Sequence, residues 1–96
     1  MSFEVAALFV AEVLMLLDFR QTIYIAQNPG KFYEINVLLG KHPSVPIVCL
    51  YFGACMVALA TGCYYFDLPG LVACIAVSIL EAYVVVKNRK LFGAWW

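Results

Sequence analysis

Apolar residues fall in three long runs separated by short polar breaks. A helix rises 1.5 Å per residue, so about 20 mostly apolar residues cross a hydrocarbon layer roughly 30 Å thick. The run from Val45 to Phe66 contains no charged residue. The run from Leu68 to about Val86 is interrupted only by Glu81. The first run, from about Phe3 to Ala26, carries Glu12, Asp18, Arg20 and Gln21.

The breaks have the chemistry of helix ends. Asn28-Pro29-Gly30 should stop the first helix, because proline disfavours helical geometry in the residue before it. Ser44 can cap the second helix with Pro46 in its first turn, and Asp67 with Pro69 repeats the arrangement for the third. The spacing predicts an all-α integral membrane protein forming a single membrane domain, with transmembrane helices over about 3–27, 45–66 and 68–88. Helices two and three then form an antiparallel hairpin. The loop 28–44 repeats Phe32, Ile35, Leu38 and Leu39 at helical spacing, with Gly40 as a C-cap. It reads as a short interfacial helix or structured loop, with a shallow re-entrant turn as the alternative. Lys31 and Lys41 flank its apolar part and suit anionic lipid headgroups.

Composition sharpens this picture. The chain has 96 residues, 66% hydrophobic and 12% charged, with mean hydropathy +0.93. Soluble domains carry about 25% charged residues. Six basic and six acidic side chains cancel, which offers no case for nucleic acid as a partner. Their distribution is uneven: Lys31, Lys41, Lys87, Arg89 and Lys90 lie on one predicted side, and none lies at the N-terminus or the Asp67 turn. The positive-inside rule then places the N-terminus outside and the basic, aromatic tail 87–96 in the cytoplasm. No basic region precedes the first apolar run, so that run is expected to remain as a helix rather than be cleaved as a signal peptide.

Charged groups at membrane depth are costly and need an explanation. At 100° per residue, Glu4, Glu12, Asp18 and Thr22 fall within about a third of the first helix's circumference, with Ala11 and Met15 in the same arc. This stripe should face the bundle or a wet cavity. Gly70, Cys74, Ser78 and Glu81 share a face of the third helix. Asp18 and Arg20 lie about 9–12 Å from the inner end of the first helix, and Glu81 lies about 9 Å from that of the third. A Glu81–Arg20 contact is therefore expected, within an intramembrane polar network of Glu12, Asp18, Arg20, Gln21, Thr22, Ser78 and Glu81. Such groups either orient helices or line a water or proton path, and the spacing leaves both readings open. Gly53, Ala54, Ala58 and Gly62, together with Gly70, supply the small residues that let helix backbones approach in lipid. Their partner is a second copy or the chain's own third helix.

Candidate catalytic chemistry is sparse. Cys49, Cys55, Cys63 and Cys74 include no C-x-x-C pair, and His42 is the lone histidine, so a metal site is not expected. The cysteines read first as small, soft apolar residues, with a Cys63–Cys74 disulfide near the outer hairpin end as the minor alternative. Ser2, Ser44 and Ser78 offer no Ser-His-Asp arrangement, and no phosphate loop occurs. The expectation is a non-enzyme without cofactor. Tyr64, Tyr65 and Phe66 mark the outer interface, while Phe92, Trp95 and Trp96 mark the inner one.

The pattern Asp18-x-x-Gln21-Thr22, Asn28-Pro29, then Glu34-Ile35-Asn36-Val37-Leu38-Leu39-Gly40-Lys41-His42-Pro43-Ser44 resembles a group of small hypothetical membrane proteins of bacteria and their phages. Val37 stands where that group usually has proline. The likeness covers about the first half of the chain and brings no activity with it. Glu34, Asn36, Gly40, His42 and Pro43 form its loop motif, in which Glu34 and Asn36 either bond back to Asp18, Arg20 or Gln21, or cap a local turn. Length, three spans and orientation are similar to the three-span phage holins, which accumulate in the inner membrane and then open lesions in it. The apolar end Leu91-Phe92-Gly93-Ala94-Trp95-Trp96 departs from the charged holin tail. The resemblance implies a self-associating protein that permeabilises the bacterial inner membrane, with the bilayer and further copies as its partners. An accessory subunit of a larger membrane complex, and a small channel or transporter, are the alternatives.

Overall fold

Serine hydroxyls begin two of the helices. Ser2 Oγ accepts the Val5 N–H at 3.1 Å, and Ser44 Oγ accepts the Ile47 N–H at 3.4 Å, each relieving an amide that lacks a partner in the first turn. The computed structural model describes residues 2–28, 30, 39–40 and 42–92, with the side chains of 91–92 excepted. Within them lie α1 (Phe3–Gln27), α2 (Val45–Tyr65) and α3 (Asp67–Phe92), and the described residues contain no strand.

At the other end of α1, the Asn28 N–H reaches the Ile25 carbonyl and its side-chain amide donates to the Tyr24 carbonyl at 2.8 Å. The α2–α3 link falls one residue earlier than the sequence suggests. Asp67 is already helical, so its cap role falls away and its carboxylate sits in the first turn, where the helix dipole favours it. Phe66 alone joins the two helices, donating its N–H to Gly62 O and accepting from the Gly70 N–H.

α2 runs antiparallel to α3, and α1 runs parallel to α3, packing on it more extensively than on α2. A small apolar cluster of Leu39, Val48 and Phe52 fastens the end of the loop to α1 through Phe19, Ile23 and Ala26. The Phe19 and Phe52 rings lie 5.6 Å apart in a tilted pair.

The bundle measures 43 × 24 × 18 Å, against roughly 40–45 Å for a bilayer with its headgroups. Two helical stretches, Val45–Tyr65 and Asp67–Lys90, are long and apolar enough to cross a membrane. Only 11% and 17% of these stretches are buried in the bundle, unlike the core helix of a soluble domain. The expectation of three spans meets a difference at α1. It has the length, but no membrane-length stretch of it avoids Glu12, Asp18 and Arg20.

Candidate functional site

Three polar residues of α1, Asp18, Gln21 and Thr22, turn inward. Ala11, Met15, Asp18, Gln21, Thr22 and Ile25 are its buried residues, and they follow one another by three, four or a single position down one face. Glu4, the outermost member of the predicted stripe, is exposed in the first turn, and Arg20 lies on the exposed side of the helix. The stripe therefore faces the bundle, and its sides diverge.

Thr22 Oγ1 donates to Asp18 Oδ1 at 3.1 Å, one helical turn away along α1. Gln21 reaches across to α3. Its amide Nε2 donates to the Val85 carbonyl at 3.1 Å, while its Oε1 accepts from Asn88 Nδ2 at 3.2 Å. Gln21 is 1% exposed, so both ends of its amide find partners away from water. Asn88 is a member of this network that sequence reasoning missed, because it sits in the segment read as a basic tail. Its signal was present: Cys74, Ser78, Glu81, Val85 and Asn88 continue one face of α3 by steps of three and four.

Glu12 stands apart. It is half-buried on α1, its Oε1 is shielded from solvent without a hydrogen-bond partner among the described residues, and it lies within electrostatic range of Cys74. An unpartnered buried acceptor is a destabilising feature that native structures seldom keep without use. Ser78 is half-buried on the α3 face, and Glu81 lines a groove of about 430 Å³ with Met15, Phe52, Cys55, Val77 and Leu80. The predicted polar residues thus occupy three levels: Glu12 near the α3 N-terminal half, Glu81 in the groove, and Asp18, Gln21 and Thr22 at the far end.

The small residues divide between two surfaces. A Cβ on Gly70 would lie 2.8 Å from Cys63 Cα and 3.1 Å from Gly62 O, so the absence of a side chain is what lets α3 touch the α2 backbone. Gly53 and Ala54 are instead exposed, a Cβ on Gly53 would meet nothing within 4 Å, and Ala58 is exposed at the groove that Glu81 lines. Of the loop motif, Glu34 and Asn36 lie outside the described residues. Gly40 has φ +80°, a left-handed conformation that glycine adopts at no steric cost, while His42 is exposed and Pro43 buried. The interfacial helix expected over Phe32, Ile35 and Leu38 also lies outside them, as do Lys31, Lys41, Trp95 and Trp96.

Among the described residues, no group of three or more His, Cys, Asp or Glu side chains gathers as metal ligands. No protein-family model, curated protein or solved structure matches this chain.

Proposed function

We propose that the chain is a small three-span membrane protein that self-associates in the bacterial inner membrane and permeabilises it, in the manner of a holin. The observation that carries this reading is the exposed row of small residues on the charge-free helix α2, Gly53 and Ala54 with Ala58 at the edge of the groove. Helices in lipid gain little from burying apolar surface, since the surrounding tails are equally apolar. They associate where small residues allow close backbone contact. Among the described residues nothing stands within 4 Å of a Cβ on Gly53, and a second α2 fits there.

In this account α1 also crosses the membrane, its N-terminus outside, with Asp18, Gln21 and Thr22 turned away from lipid and Arg20 on the exposed side about two turns from the helix end. Copies joined through α2 bring several polar α1–α3 seams close together. Separation of α1 from α3 then presents Glu12, Asp18 and Thr22 to water as the wall of a lesion. A second reading, an accessory subunit docking on a larger membrane complex, is favoured by the Gln21–Val85 and Gln21–Asn88 contacts, which close the polar face within one chain. The outer α2 row would then receive a foreign helix.

Timed induction in a bacterium that also expresses a cytosolic endolysin separates the two. The pore reading predicts a sudden fall in turbidity and membrane potential after a fixed delay, with the turbidity loss dependent on the endolysin. Steady growth with verified membrane insertion contradicts it and directs attention to a partner protein.

A further inference from the structure

Two cysteines that the proposed function does not use meet across the α2–α3 hairpin. Cys63 and Cys74 are thiols whose sulfurs lie 2.7 Å apart, and closing them to the roughly 2.05 Å of a disulfide asks for a shift of about 0.7 Å. Gly70 creates the meeting point by bringing α3 onto the backbone at Cys63. The Cys63 thiol donates to the Gly70 carbonyl at 3.4 Å, which leaves its sulfur to accept from Cys74. The other two cysteines sit farther along α2, Cys49 exposed and Cys55 half-buried.

We propose that Cys63 and Cys74 are a redox-active pair that forms an intramolecular disulfide, stapling the outer end of the hairpin. The two sulfurs differ in access. Cys74 is fully buried, whereas Cys63 is half-buried and about 5 Å along the helix from the Phe66 link. Cys63 is accordingly the entry point. Its thiolate attacks a disulfide RS–SR, forming the mixed disulfide Cys63–S–SR and releasing one RS⁻. The Cys74 thiolate then attacks the Cys63 sulfur and expels the second RS⁻. The two thiol protons pass to the two released thiolates, so two cysteines and one RS–SR give one cystine and two RSH. The oxidant is thus any disulfide able to reach the membrane interface, and the bond persists where that interface faces an oxidising compartment. The inference stands on the hairpin geometry and is independent of whether the protein forms pores.

The full chain, purified reduced in detergent and freed of reductant, is incubated with oxidised glutathione, acid-quenched, unfolded and titrated with a maleimide mass tag. Of the four cysteines, the number tagged should fall from four to two, with monomeric migration on a non-reducing gel. Peptide mapping should join Cys63 to Cys74, and dithiothreitol should restore four tags. A variant carrying Cys49→Ser and Cys55→Ser should form the same bond, and Cys63→Ser should abolish it. Four tags after oxidation, a bond between two chains, or a bond to Cys49 or Cys55 would overturn the proposal. The mapping on the unmodified chain needs no variant to fold.

Discussion

Gln21 and Asn88 stand 67 residues apart in sequence and share a hydrogen bond of 3.2 Å that ties the C-terminal half of α1 to the end of α3. Gln21 also holds the Val85 carbonyl, so one buried amide sets both the register and the rotation of α1 on its neighbour. Interhelical bonds of this kind contribute about 0.6 kcal/mol on average in a membrane, rising towards 2.

Gln21→Leu should therefore lower the unfolding free energy in detergent by about 1–2 kcal/mol, with a smaller loss for Asn88→Leu, which is only partly buried. Because the two side chains share a bond, the double variant should fall short of the sum of the singles by about 0.5 kcal/mol or more. Additive losses would show that the bond does not couple the helices.

Glu12 carries a buried oxygen without a hydrogen-bond partner among the described residues. Glu12→Leu removes a desolvation cost of about 1–3 kcal/mol, so thermal stability in detergent should rise. The same change should abolish the timed collapse of membrane potential in cells. Gain of stability with loss of activity is the expected signature of a polar group retained for use. A destabilised Glu12→Leu protein would assign the carboxyl a structural role instead.

Gly70→Ala places a methyl carbon 2.8 Å from the Cys63 backbone, which has no flexible end to move aside. The hairpin must open, at a cost of about 1–3 kcal/mol. Gly53→Ala, with open space at its Cβ inside α2, should leave monomer stability unchanged or raise it by up to about 1 kcal/mol. Equal melting temperatures for the two variants would contradict the close approach at Gly70.

Leu39 is 9% exposed and packs with Val48 and Phe52, so it anchors the end of the loop to the bundle. Leu39→Ser should raise the rate of proteolytic cleavage within residues 29–44 several-fold while far-UV circular dichroism keeps its helical signal. An unchanged cleavage rate would mean that the anchor lies elsewhere.

Helix ends were the most legible part of this chain, because Ser44 with Pro46 and Asn28 with Pro29 act through local chemistry that needs no partner. The inward turn of Asp18 and Thr22 was legible from their shared arc with Ala11 and Met15. For Asn88 the face was legible but the bond to Gln21 was not, since it depends on the height at which α3 meets α1. The α2 small residues were only half legible. Positions four apart drift by about 40° per step around a helix with 3.6 residues per turn, so Ala54, Ala58 and Gly62 do not keep one face. α3 meets the row at the Gly62 carbonyl, against Gly70, while a Cβ on Gly62 would meet nothing within 4 Å. Spacing revealed the row but not which neighbour each end would face.

The most direct test reconstitutes the purified chain in lipid vesicles and measures dye release and oligomer number together, for the natural protein and for Gly53→Leu. Release should rise more steeply than in proportion to the protein-to-lipid ratio. Gly53→Leu should remain helical, stay monomeric and release at least tenfold less dye, because its Cβ points into open space and the new side chain blocks α2 pairing. A natural protein that stays monomeric and releases no dye at any ratio, or a Gly53→Leu protein that releases as much, would contradict the account.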